Sequence, residues 1–167
     1  MKFSFSARAA YALAAIIFVL DQLSKWWIVS GLQLESLGSV PLLPFLSFTW
    51  VENAGVAMGL LTAGSEAARW TLVALTGGIA TAIIWWINAE RDGVDLAAMG
   101  LILGGAIGNI LDRVRLGYVV DFVHFHLGSW SFYVFNVADA AITIGVGLLL
   151  LRAFIGDGAH AKEEENA

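Results

Sequence analysis

The stretch FNVADAAITIGVGLLLLRAF, residues 135–154, decides the fold. From Val137 onward it is almost entirely apolar or small. About 20 such residues are enough for a helix to cross the hydrocarbon core of a bilayer. Yet Asn136 and Asp139 stand at its start. A charged side chain at mid-bilayer costs roughly 2.5–3.5 kcal/mol on insertion scales. These residues must therefore lie at a membrane surface or face the inside of a bundle. What else gathers at that surface decides what Asp139 is for.

The composition agrees with a membrane chain. Of 167 residues, 59% are hydrophobic and 14% charged, against about 25% charged in an ordinary soluble domain. The mean hydropathy is +0.77. We expect one integral membrane domain over 1–156 and a disordered acidic tail over 157–167. There is no cysteine, which excludes disulfides, thiol catalysis and thiolate metal sites. The net charge of −5 owes three acids to Glu163, Glu164 and Glu165. No basic block suggests a nucleic-acid partner.

Four windows are apolar enough to span, at about 9–29, 67–87, 96–114 and 137–155. The first imitates a signal peptide, with Lys2 and Arg8 ahead of YALAAIIFVL. Asp21, Gln22, Ser24 and Lys25 then follow where small residues would mark cleavage, so it reads as an uncleaved span. The segment 30–66 holds Pro41 and Pro44 and cannot be one helix. Within it LSFTWV, 46–51, reads as a strand and NAG, 53–55, as a turn. In the segment 115–136, YVVDFVHFH and SWSFYVF read as a hairpin or interfacial flap. The fold class is thus membrane all-α, a bundle of four helices with a small β-rich cradle.

Four spans put both termini on one side. Lys2, Arg8, Arg91, Arg152 and Lys162 lie with the termini, against Lys25, Arg69, Arg113 and Arg115. That small excess favours cytoplasmic termini. In this topology Asp21, Lys25, Asn53, Asn109, Asp112, Arg113, Asp121, Asn136 and Asp139 all fall toward the outer face. Helical spacing aligns Asp21, Ser24, Lys25 and Ile28 on one side of the first span. It aligns Gly105, Gly108, Asn109 and Asp112 on the third, and Asn136, Asp139 and Thr143 on the fourth. Gly100, Gly104 and Gly108 form overlapping G-x-x-x-G units that seat a neighbouring helix.

Each polar residue also has a purely structural reading. Asp139 complements a helix dipole, worth about 0.3–1 kcal/mol. Asp21 and Lys25, spaced i, i+4, neutralise one another. Asp112 partners Arg113 or a neighbour, and Asn53 is a turn former. Together, however, Asp121 and Asp139 flank one connection that can fold back and set the two carboxylates side by side. Such a pair shares a proton and supplies both an acid and a base. His124 and His126 form H-x-H, but no third ligand has a recognisable spacing, so no metal is expected. H-E-x-x-H and G-x-S-x-G are absent. A proton-coupled carrier would need acids at both faces or a repeat with broken helices. A four-helix scaffold would leave the polar stripes dispensable.

DQLSK at 21–25, VENAGVAMG at 51–59, GGAIGNILDRVRLGYVVDF at 104–122 and FNVADAAI at 135–142 resemble, in that order, the bacterial lipoprotein signal peptidases, or signal peptidase II. The resemblance runs from the first span to the last. It implies an aspartic endopeptidase of the inner membrane, with cytoplasmic termini and its active site at the outer leaflet. Its substrates would be prolipoproteins carrying a diacylglyceryl group, cut just before the lipidated cysteine. Asp121 and Asp139 would be catalytic. Asp21, Asn53, Gly55, Asn109, Asp112, Arg113 and Asn136 would support the site or bind substrate. No cofactor is expected; the partners are lipidated prolipoproteins and membrane phospholipid, and the chain is expected to be a monomer.

Overall fold

The computed structural model describes residues 5–55, 65–128 and 130–165, with side chains to 155. Lys2 and the VAMG part of the 51–59 motif lie outside the described residues. Helix α1, Ala7–Trp26, runs into a π-helical turn, Trp27–Gly31, and then a single turn, α2, Leu34–Leu37. Strands β1, Ser39–Leu43, and β2, Leu46–Asn53, follow. After α3, Glu66–Ala89, and α4, Gly93–Arg115, come β3, Val119–Leu127, and β4, Trp130–Ser131. Helix α5, Val137–Glu165, closes the chain. Four of these helical segments are long and apolar enough to cross a membrane: Ala7–Gly31, Glu66–Ala89, Gly93–Arg115 and Val137–Ile155.

α4 is the central helix and packs on α1, α3 and α5. Its glycines explain why. A Cβ at Gly100 would stand 2.7 Å from the Ala10 carbonyl oxygen, and one at Gly104 2.5 Å from that of Ala14. On another face a Cβ at Gly105 would stand 2.5 Å from the Ala138 carbonyl oxygen. In lipid, where apolar surface gains little by leaving its solvent, such backbone approach is a main source of packing. An apolar layer of Ile83, Ile87, Leu96, Met99 and Leu103 fills the end of the bundle away from the sheet.

The sheet is antiparallel with order β1-β2-β3-β4. It sits where α1 and α4 end and where α3 and α5 begin. Pro41 falls on β1, an edge strand, where its missing N–H costs no interior ladder bond. Ile28, Leu34, Val120 and Phe122 pack beneath the sheet. The 115–136 connection is the hairpin β3–β4, turning at Gly128 with φ +59°. Its return leg ties back onto β3, since Val123 donates to the Phe135 carbonyl at 2.8 Å and Phe135 returns a bond at 3.0 Å. At the chain end the α5 backbone is helical to Glu165. An existing helix adds residues without a new nucleation cost, and Ala159, Ala161, Lys162 and Glu163 are good helix formers.

Candidate active site

Two backbone facts bring the aspartates together. Asp121 lies on β3 opposite Val51 of β2. The Phe135 bonds to β3 then place Asn136, the first residue before α5, directly beside it. Asn136 caps α5: its Oδ1 accepts from the Asp139 backbone N–H at 2.9 Å, and the Asp139 carboxylate accepts from the Asn136 N–H at 3.3 Å. This is a capping box, with Asn and Asp in the usual Ser/Thr and Glu roles. The amide of the same Asn136 donates to Asp121 Oδ1 at 2.6 Å. One buried side chain therefore touches both aspartates.

Each aspartate has a further amide donor. Asn53 Nδ2 reaches Asp121 Oδ2 at 2.9 Å, and Asn109 Nδ2 reaches Asp139 Oδ1 at 2.8 Å. Asn53 is aimed by the turn after β2, where its Oδ1 accepts from the Gly55 N–H at 2.9 Å. Gly55 has φ +80°, and a Cβ there would collide with Leu72 of α3. The dihedral favours glycine, and any side chain there would also have to displace the Leu72 methyl. Asp121 is 1% exposed. Its burial is the main influence on its carboxyl, which is pushed up to about 6; the Asn53 and Asn136 bonds oppose the rise and the Asp139 charge adds to it.

Below the aspartates lies a second, charged layer. Lys25 Nζ binds Asp21 at 2.8 Å, Asp112 at 2.7 Å and Asn109 Oδ1 at 3.2 Å. Its three donors are thus all used. Gln22 spans both carboxylates at 3.1 Å. Asp21 also accepts from the Ala138 N–H at 3.0 Å, capping α5 from 117 residues away. Asp112 accepts from the Val120 N–H at 3.4 Å, fixing the start of β3. The hub thereby fastens the start of β3 and the start of α5 to α1 and α4. The i, i+4 pairing of Asp21 with Lys25 holds as expected. Of the two partners open to Asp112, the structure selects a neighbour's Lys25 rather than Arg113.

Arg113 Nη1 donates to the Asn109 carbonyl at 3.3 Å, and its buried Nε has no partner among the described residues. Its charge acts on Asp139, Asp121 and Asp112. Arg69 of α3 donates to the carbonyls of Arg113 and Val114, both at 2.7 Å, and so caps α4. His124 and His126 are held by hydroxyls: Thr49 and Ser131 for the first, Ser47 for the second. No group of three metal-ligating side chains occurs among the described residues. By sequence alone Lys25 has only a neutralising role and Gln22 no site role. The place of Lys25 in the bundle-facing stripe of α1 is a signal that it belongs to the site; Gln22 lies outside that stripe and has no such signal.

Two cavities meet at the aspartates. One, of about 440 Å³, is lined by Glu52, Asn53, Gly55, Asp121 and Tyr133. The other, of about 220 Å³, is lined by Phe132, Tyr133, Phe135, Asp139, Thr143 and Ile144. The first is open and edged by strand backbone. The second is apolar, with Asp139 at its wall. Tyr133 lies between them.

The family model for signal peptidase (SPase) II matches residues 13–155. A lipoprotein signal peptidase of Rhizorhabdus wittichii is 54% identical over 146 residues, covering 87% of this chain and 85% of the relative. One of Sphingopyxis alaskensis is 47% identical, covering 90% of each chain. A bacterial membrane enzyme structure obtained by the in meso method superposes with a TM-score of 0.78 at 29% identity, over 96% of this chain and 95% of the other.

Proposed function

This chain belongs to the signal peptidase II family and is an aspartic-type enzyme that removes lipoprotein signal peptides; we propose that it does so with Asp121 and Asp139 as general acid and base. The observation that carries this reading is the Asn136 side chain, bonded to one aspartate through its amide and to the other through its cap. The Asp139 charge adds to the rise of the Asp121 carboxyl, and two carboxylates that feel one another in this way favour holding one proton between them. The proton belongs to the pair rather than to either residue.

The reaction then needs no metal. The ionised aspartate takes a proton from water as its oxygen attacks the scissile carbonyl carbon. The protonated aspartate gives its proton to the carbonyl oxygen, and a gem-diol forms. Collapse of the gem-diol breaks the C–N bond, and the pair returns a proton to the leaving nitrogen. Asn53, Asn109 and Asn136 hold the carboxylates in one geometry through both steps. Asp21, Asp112 and Gly55 position the elements that carry them, and Arg113 steadies charge beside them.

The substrate is a prolipoprotein with a diacylglyceryl group, cut just before the lipidated cysteine. The open cavity beside β2 suits an extended peptide backbone, and the apolar one beside Asp139 suits the lipid-bearing side. The sheet acts as a cradle and the aromatic hairpin as its cover. The termini are cytoplasmic, the dyad faces the outer leaflet, and a monomer is sufficient, since every residue named comes from one chain. Asp121→Asn and Asp139→Asn should each lower turnover of a lipidated substrate by about 10²–10⁴-fold, with membrane insertion and melting retained. Cleavage at the native rate by either variant would overturn the two-aspartate reading.

A further inference from the structure

The charged hub has a second side. Between the sheet-proximal ends of α1 and α4 lies a cavity of about 190 Å³, lined by Gln22, Lys25, Trp26, Ser30, Asp112 and Arg115 among others. It shares no lining residue with the two cavities at the aspartates. Its floor is already satisfied. Lys25 is committed to Asp21, Asp112 and Asn109, and the Gln22 amide to Asp21, Asp112 and the Gly108 carbonyl. Its rim is not. Arg115, Trp26 and Ser30 line the same cavity, and the guanidinium, indole N–H and hydroxyl they carry have no partner among the described residues. The π-helical turn at Trp27–Gly31 occurs at this point of α1, and such turns are frequent at functional sites.

The surroundings belong to lipid. Trp26 is 63% exposed and Trp27 48%, with Leu20 and Leu23 along the same helix also exposed. Tryptophans at the end of a span mark the headgroup level. The hub beneath carries two carboxylates and one ammonium, so an anion is repelled from the floor and drawn to Arg115 at the rim. A planar guanidinium with two neutral donors suits phosphate oxygens. We propose that this cavity binds the phosphate of a bilayer phospholipid, with Arg115 as its main ligand and the acyl chains lying against the exposed face of α1. The site is separate from the peptidase chemistry and stands or falls independently of it.

The test is lipid titration of the full, delipidated chain in detergent micelles, read by native mass spectrometry. Dioleoyl-phosphatidylglycerol should give one saturable adduct. Arg115→Gln should weaken it by about tenfold, one charge-assisted contact's worth, and Trp26→Phe should weaken it less. Asp139→Asn should bind as the parent does, as should Arg8→Gln, which removes a cation from the opposite end. Parent-like binding by Arg115→Gln, equal saturable binding of dioleoylglycerol, or occupation by inorganic phosphate with the lipid's affinity would each overturn the proposal. If Arg115→Gln does not fold, parent-like binding by a folded Trp26→Phe, Ser30→Ala double variant overturns it instead.

Discussion

Lys25→Met probes the layer that holds the aspartates. The ammonium is buried with three partners, at 2.8 Å to Asp21, 2.7 Å to Asp112 and 3.2 Å to Asn109. Its two carboxylate partners have side chains only 0% and 6% exposed. Methionine fills much of the volume but leaves those carboxylates with Gln22 and two backbone N–H groups for company. Removing one member of a buried ion pair costs roughly 3–5 kcal/mol, chiefly because the partners stay buried and uncompensated. The variant should lose that much unfolding free energy, measured by reversible denaturation in mixed micelles with circular dichroism. The triple variant Asp21→Asn, Lys25→Met, Asp112→Asn keeps the shapes and the oxygen that caps Ala138, but removes all three charges. It should recover most of the loss, to within about 1–2 kcal/mol of the parent. A loss below about 1 kcal/mol for the single variant, or a triple variant no more stable than it, would refute the buried-hub reasoning.

Gly105→Ala puts a Cβ 2.5 Å from the Ala138 carbonyl oxygen and must push the start of α5, with Asp139, away from α4. We expect a loss of about 1–3 kcal/mol and a fall in turnover, whereas Gly147→Ala, with nothing within 4 Å, should change neither. Burial raises the Asp121 carboxyl from 3.8 to about 6. The folded state therefore binds the proton more tightly than the unfolded one. The resulting stability is full below pH 3.8 and is lost as pH rises through about 6, by about 3 kcal/mol in total. Unfolding of Asp121→Asn should accordingly show a weaker decline between pH 4 and 7 than the parent, and parallel pH curves would contradict it. Asn53→Ala removes a donor that lowers the Asp121 carboxyl. The alkaline limb of its pH–rate profile should move upward relative to the parent, and an unmoved or downward limb would argue against the dyad controlling that limb.

The spans were legible because each is a continuous apolar window bounded by polar residues, and bilayer thickness leaves few alternatives for such a window. The buried faces were legible too: Asp21, Lys25 and Ile28 on α1, and Gly105, Gly108, Asn109 and Asp112 on α4, are all buried as their spacing implied. The partners were harder. Asp112 has Arg113 next to it in sequence, yet successive residues on a helix point about 100° apart. Lys25, on another helix, is the one that meets it. The Asp21 bond to Ala138 crosses 117 residues and has no local signature. The double use of Asn136 was likewise invisible, because a cap residue and a ligand of Asp121 look identical as one letter. Thr143 aligned with Asp139 by spacing and lines the same apolar cavity, but it is exposed where Asp139 is half-buried.

The arrangement of donors explains why charge is layered at this site. Asp121 and Asp139 receive their closest bonds from amides: Asn53, Asn109 and Asn136. An ammonium bonded directly to either carboxylate would favour its ionised form and draw the shared proton off the pair. Lys25 is instead kept one side chain away, bonded to the Asn109 oxygen whose amide nitrogen serves Asp139. Its charge is largely answered by Asp21 and Asp112, and what reaches the dyad lowers the Asp121 carboxyl less than the Asn53 and Asn136 bonds do. Arg113 interacts with the aspartates through its field, while its hydrogen bond goes to the Asn109 backbone. Neutral donors thus fix the geometry of the carboxylates without dictating which of them is charged. A general acid and a general base made from one pair require that freedom, because each must exchange roles as the peptide bond is broken.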